Sequence, residues 1–216
     1  MDAPKGRALL TAAAVAVFAA GGFYAIRASH DFSRDRIAAN ERARLVASLN
    51  SVLDPALRSH DLRTVRTTVT DPLLGSPGAV DVFVLFDAGE PAAAIFASVA
   101  PDGYNAPINL LIGVSPSGTL TGVRPVSHRE TAGLGDRIEP GKSDWILRFA
   151  GDSLDRPPRE RWAVDKDEGD FDSLSGATIT SRAVVKAVKN TLLYFEQHRD
   201  ELFRAAAARA TDADAD

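Results

Sequence analysis

The sequence predicts an α+β protein: an N-terminal transmembrane helix, then an antiparallel sheet flanked by helices. Three observations predict it. Ala8–Ile26 is an Ala-rich run without a charge. Residues 80–126 hold four β-rich segments divided by short turns. Residues 181–203 then place apolar side chains at helical spacing, so strands and helices are segregated along the chain rather than alternating.

In chain order, the first element is the apolar run, bracketed by Arg7 and Arg27. A helix needs about 20 apolar residues to cross the hydrocarbon core. A signal peptide is the rival, but its apolar region covers roughly 7–15 residues before an A-x-A-like site. This run is longer and Tyr24–Ser29 offers no clean site, so an uncleaved single-pass anchor is favoured. Counting Lys and Arg puts the C-terminal side in the cytoplasm. That rule weakens for long translocated domains, and Asp31, Asp35 and Glu41 interrupt the arginines, so the charge pattern leaves sidedness open.

Residues 32–53 read as a helix with Ile37, Leu45, Leu49, Val52 and Leu53 near one face, ended by Asp54-Pro55. A variable stretch runs to the turn residues Gly75–Gly78. Val80–Phe86, Ala92–Ala100, Ile108–Val114 and Thr119–Val126 are strand candidates, the last two joined by a hairpin-like Ser115–Gly118 turn. Trp145–Phe149 and Arg161–Val164 read as late strands. Ser181–Phe203 is the second helix, with Val184, Val185, Val188, Leu192, Phe195 and Leu202 on its inner stripe. Ala205–Asp216 has no core-forming pattern and reads as disordered.

Composition narrows the chemistry. The chain has 216 residues, 45% hydrophobic, with a net charge of −4 and no long basic block, which argues against nucleic acid as a partner. Cysteine is absent, which removes disulfides, thiol nucleophiles, iron–sulfur clusters with cysteine ligands and covalent haem. An electron carrier here is an organic cofactor or a haem without cysteine ligands. Several motifs fail on spacing. Gly135–Ser143 has one residue too many for a P-loop, and Asp165–Asp170 places its glycine one position early for a calcium loop. The four histidines are scattered and no G-x-S-x-G is present, so neither a metal site nor serine hydrolysis is expected.

Ser175-Gly176-Ala177-Thr178-Ile179-Thr180-Ser181-Arg182 concentrates hydroxyls at the mouth of the second helix. A helix N-terminus offers unpaired N–H groups and partial positive charge, so it suits a phosphate. Ordinary N-capping by one Ser or Thr explains the same composition.

Three segments together resemble one family. They are Gly103–Ile108, Ser127–Gly135 (SHRETAGLG) and Trp162–Arg182 (WAVDKDEGDFDSLSGATITSR). Their order is similar to the FMN-binding domain of the G subunit of the Rnf ion-translocating electron transport complex, a domain shared with the C subunit of sodium-pumping NADH:quinone oxidoreductase. The short chain looks closer to the Rnf member of the pair. The family pattern is Asp, two variable residues, Ser or Thr, Gly, Ala, Thr, matched by Asp172, Ser175, Gly176, Ala177 and Thr178.

The resemblance implies covalent FMN held by a phosphoester on Thr178, installed from FAD by a magnesium-dependent flavin transferase. Asp172 would orient the segment or meet the transferase, and Ser175 and Thr180 would serve as caps and turn bonds. It also implies that Glu130, Thr131, Gly133 and Leu134 lie against the isoalloxazine ring, although Ala132 replaces the family's proline. Gly103-Tyr104 departs from the family pattern and is assigned no cofactor contact. Lys166 reads equally as a flavin neighbour or a surface lysine.

The implied organisation is a short tail (1–7), a transmembrane helix (8–26), a membrane-proximal helical region (27–79), the FMN-binding domain (80–204) and a disordered tail (205–216). The implied protein is an inner-membrane electron-transfer subunit with its soluble domain on the periplasmic side. It would partner the other subunits of a complex coupling ferredoxin and NAD(H) redox chemistry to ion transport, with no independent turnover. The alternatives are the C-type subunit, a membrane-anchored module binding a phosphate-bearing ligand without a covalent bond, and a structural assembly subunit.

Overall fold

The computed structural model describes residues 21–24, 27 and 44–213. Most of the expected transmembrane run and most of the first helix lie outside these residues. Among the described residues no helix is long and apolar enough to cross a membrane. The chain divides into two units, Met1–Ala47 and Ser48–Asp216. In the first, residues 21–24, 27 and 44–47 are helical and exposed.

The second unit is built on a five-stranded antiparallel meander in the order β1 (Arg63–Val69), β2 (Val80–Asp87), β3 (Glu90–Ala100), β4 (Ile108–Val114) and β5 (Leu120–Ser127). Four of these coincide closely with the expected strands. β2 and β3 are rich in β-branched and aromatic or small apolar residues, and both of their faces are covered. Val82, Val84, Phe86, Ala94 and Phe96 face one core; Phe83, Leu85, Ala93 and Ile95 face the other.

The long C-terminal helix, Thr178–Ala213, lies across the first face. Val184, Val188, Leu192 and Phe195 enter its core, and the Phe96 ring meets Tyr194 and Phe195 edge-on at 5.9 and 6.1 Å. Leu49, Val52 and Leu53 cover the opposite face. That segment can approach because β4 and β5 carry glycines beneath it: a Cβ at Gly113 would stand 2.6 Å from the Val52 carbonyl oxygen, and one at Gly122 3.0 Å from its Cα. Thr121 Oγ1 donates to the same carbonyl at 2.6 Å, and the Arg58 guanidinium donates to Leu53 O, so carbonyls at the end of this helix are satisfied.

Four expectations change. The stretch read as variable contains β1, an edge strand paired along its length with β2. Trp145–Phe149 is a 3₁₀ turn rather than a strand, because its rings bury into an aromatic cluster: Trp145–Phe149 at 5.4 Å, Phe149–Phe171 at 5.0 Å and Trp162–Phe171 at 4.7 Å. Arg161–Val164 is not a strand either. Arg159–Arg161 is a 3₁₀ turn, and Val164 makes a single bridge to Phe171. The helix expected from Ser181 to Phe203 starts at Thr178 and continues to Ala213, through residues read as a disordered tail, with Ala206 fully buried.

Candidate functional site

Ala177 precedes the helix and its carbonyl accepts the first helical bond, from Ser181 N–H at 3.1 Å. Thr178 is therefore the first helical residue. The N–H groups of Thr178, Ile179 and Thr180 have no acceptor within the helix. Gly176 takes φ +79° to deliver the chain into this start, and a Cβ there would come within 3.0 Å of Leu134.

The hydroxyls that look interchangeable in the sequence have different partners. Ser181 is buried, receiving the Leu174 N–H at 3.0 Å and donating to Ala177 O at 3.1 Å. Thr180 is buried and donates to Glu130 Oε2. Thr180 thus makes a tertiary bond in place of the cap or turn bond expected of it. Ser175 is exposed. Thr178 alone meets a cation: its Oγ1 accepts from Lys166 Nζ at 2.9 Å.

The Glu130–Gly135 loop stands opposite. Three amides converge on the Thr131 carbonyl, from Leu134, Gly135 and Asp136 at 3.1, 3.0 and 3.3 Å, so the turn closes with Ala132 in the family's proline position. Glu130 is 8% exposed, its Oε1 accepting the Asn105 N–H at 3.2 Å while Oε2 takes Thr180. Gly135 is required by this packing: a Cβ would sit 2.9 Å from both Glu130 Cβ and Thr180 Oγ1. The Asn105 amide group adds bonds to Arg129 O at 2.9 Å and Thr131 Oγ1 at 3.3 Å, fastening the Gly103–Ile108 segment to the loop. Below the loop, Lys142 bonds Asp136 and Glu139 at 2.8 Å each and holds both carboxyls below their usual range.

Loop and helix start enclose a cleft of about 480 Å³. Glu130, Thr131, Leu134, Gly176, Ala177 and Thr178 line it, joined by Tyr104, Gly135, Lys166, Ile179 and Thr180. Tyr104, Leu134 and Ile179 are 63%, 43% and 47% exposed, an apolar surface at a polar floor. Tyr104 belongs to the segment that the sequence left without a contact. Three of the expected residues do not line the cleft. Ser175 is exposed, Gly133 shapes the loop at φ +77°, and Asp172 stands outside. The Asp172 carbonyl accepts Trp145 Nε1–H at 2.6 Å, and its side chain, 84% exposed, meets Arg148 at 3.4 Å. Among the described residues no cluster of metal-ligating side chains occurs.

The chemistry of this donor set fits a phosphate carrying a flat apolar ring: an ammonium and free helical N–H groups at one point, exposed apolar side chains beside it. The comparisons with known proteins agree. Residues 103–193 match the FMN-binding domain family. The G subunit of the ion-translocating oxidoreductase complex of Vibrio atlanticus (strain LGP32) is 40% identical over 188 residues, covering 87% of this chain and 90% of the relative. Its namesake from Pseudomonas aeruginosa (strain PAO1) is 41% identical over 204 residues, covering 94% and 95%. That from Shewanella oneidensis is 40% identical over 170 residues, covering 78% and 80%. Similarity of this depth along most of both chains shows the family: this chain belongs to the G subunits of ion-translocating oxidoreductase complexes and contains an FMN-binding domain.

Proposed function

We propose that this chain is an electron-carrying subunit of a membrane-bound, ion-translocating oxidoreductase complex, with FMN joined to Thr178 through a phosphoester. The observation that carries the reading is the Thr178 hydroxyl itself. It is the first helical residue, lines the cleft, and has an ammonium at 2.9 Å. The volume of about 480 Å³ lies in the range typical of cofactor sites.

Attachment balances as a transfer from FAD. The Thr178 oxygen forms a bond to the flavin-side phosphorus, the phosphoric anhydride bond breaks, AMP leaves, and the hydroxyl proton passes to solvent. Gly176 and Ala177 carry no bulk, so a flavin transferase with bound magnesium can close on this backbone. Asp172 is placed to meet that enzyme, because its side chain projects into solvent while its carbonyl is anchored by Trp145. Bound FMN supplies one- and two-electron redox chemistry at its isoalloxazine ring, and the protein supplies position and environment. Leu134, Tyr104 and Ile179 offer apolar contact for the ring. Glu130 and Thr131 hold the loop that presents Leu134, with Gly133 forming its turn.

The Ala8–Ile26 run is proposed as the single membrane span, with the domain on the periplasmic side of the inner membrane. The other subunits of the complex are its partners. The names of the relatives favour the G subunit over the C-type subunit of a sodium-pumping NADH:quinone oxidoreductase. Denaturing mass spectrometry of the protein from native membranes tests the attachment. A phosphoester to FMN adds about 440 Da to the chain. Thr178→Val abolishes that increment; flavin fluorescence that survives the substitution in a denaturing gel overturns the assignment.

A further inference from the structure

We propose that Lys166 is the residue that makes Thr178 the acceptor: it receives the phosphate of the incoming flavin nucleotide, lowers the barrier to transfer onto Thr178 Oγ1, and afterwards pairs with the phosphodiester. This rests on the reading of Thr178 as the attachment point.

Lys166 sits on a tightly bonded loop. Asp165–Asp167 forms a 3₁₀ turn closed by Glu168 in the left-handed region at φ +64°. Asp165 Oδ1 accepts three bonds, from the Lys166 N–H at 2.9 Å, the Ser173 N–H at 2.9 Å and the Ser173 hydroxyl at 2.6 Å. These bonds, Ser173 foremost, hold its carboxyl below the usual range. Asp167 grips Arg182, in the second turn of the C-terminal helix, through both carboxylate oxygens at 2.5 and 2.6 Å. The two carboxylates that flank Lys166 are therefore engaged elsewhere. Among the described residues no carboxylate lies within ion-pair distance of Lys166 Nζ, whose one hydrogen-bond partner there is Thr178 Oγ1. An ammonium in contact with no carboxylate, its charge felt by Asp165 only at longer range, is fixed at a hydroxyl, beside the free N–H groups of a helix start.

That arrangement separates Thr178 from its neighbours. Thr180 and Ser181 are buried and committed to Glu130 and to the turn, and Ser173 is committed to Asp165. Ser175 is exposed. Lys166 donates to the Thr178 oxygen, so the hydroxyl proton is left free to depart. In the transfer, the new bond runs from Thr178 Oγ1 to the flavin-side phosphorus and the broken bond leads to AMP. The ammonium then faces the phosphate oxygens, where negative charge must be held throughout the displacement. In the product the same ammonium faces a diester with one negative charge.

The test uses the full chain, purified in detergent from a host without flavin transferase and incubated with purified transferase, FAD and magnesium. The increment of about 440 Da is followed against time by denaturing mass spectrometry. Wild type is labelled and Thr178→Val is not; a wild type that takes no label overturns the Thr178 reading, and this proposal with it. Lys166→Met is labelled on the order of 10²-fold more slowly, the size of effect seen when one charge-stabilising donor is removed. Lys166→Arg recovers most of the rate because it restores the cation. Lys166 is exposed, so both variants keep the wild-type thermal midpoint. With wild type labelled, a Lys166→Met rate within tenfold of it overturns the role of Lys166 alone, as does an Arg variant no faster than Met.

Discussion

Whether a hydroxyl in this chain is available for chemistry depends on what already holds its oxygen. Thr180 lies two residues from Thr178, yet it is buried against Glu130, a partner 50 positions away. That packing leaves no room at Gly135. Gly135→Ala forces a methyl to within 2.9 Å of Glu130 and Thr180, so it destabilises by about 1–3 kcal/mol, read as a lower urea midpoint. The carboxylates under the loop give a pH dependence. Lys142 lowers the folded-state pKa of Asp136, so the stabilisation is complete above the unfolded carboxylate value of about 4 and is lost as pH falls through the lower folded value. Asp136→Asn is thus less stable than wild type at neutral pH. The gap between their urea midpoints narrows on acidification below about pH 4. The Asp172–Thr178 motif was legible as a motif because it lies in one short stretch of sequence. The Glu130–Thr180 and Lys166–Thr178 contacts were not, since nothing local in a sequence records which distant carboxylate or ammonium reaches a given hydroxyl.

At the scale of elements, the C-terminal helix does two jobs: its first turn forms one wall of the cleft, and its middle covers the sheet. Phe195 is fully buried against Phe96 and Phe203. Phe195→Ala costs about 3–5 kcal/mol in urea unfolding. At the same interface Thr191 Oγ1 donates to Ala187 O at 2.9 Å, which leaves Ser98 to donate to Thr191 at 2.8 Å and satisfies both buried hydroxyls. The central strands were readable from their continuous apolar, β-rich runs, and the middle of the helix from its 3.6-residue stripe. β1 was not, because an exposed edge strand with the sequence RTVRTTV lacks the apolar content that marks a buried one. WILRF misled in the other direction: a short apolar run reads as a strand, but here an aromatic cluster bends it into a turn. The last helical turns were missed because their Ala-rich sequence carries helix propensity without an apolar stripe.

At the scale of the molecule, among the described residues both hydrophobic clusters are drawn from Leu49 onward, so the FMN-binding unit carries its own core. The sheet, packed on both faces by helical segments, supports the cleft. The cleft lies where three connections meet: the Gly103–Ile108 segment, the Glu130–Gly135 loop and the Val164–Phe171 loop, all converging on the start of the last helix. A carrier fixed there by the proposed covalent bond would stay with its subunit through repeated redox cycles. Everything proposed for this cleft depends on Thr178 bearing that carrier. The decisive quantity is the denatured mass of the full chain from native membranes, wild type beside Thr178→Val. The wild type should carry an added mass of about 440 Da, located by fragmentation to Thr178, and the variant none. A wild-type chain at its unmodified mass, or the same increment on Thr178→Val, would refute the assignment.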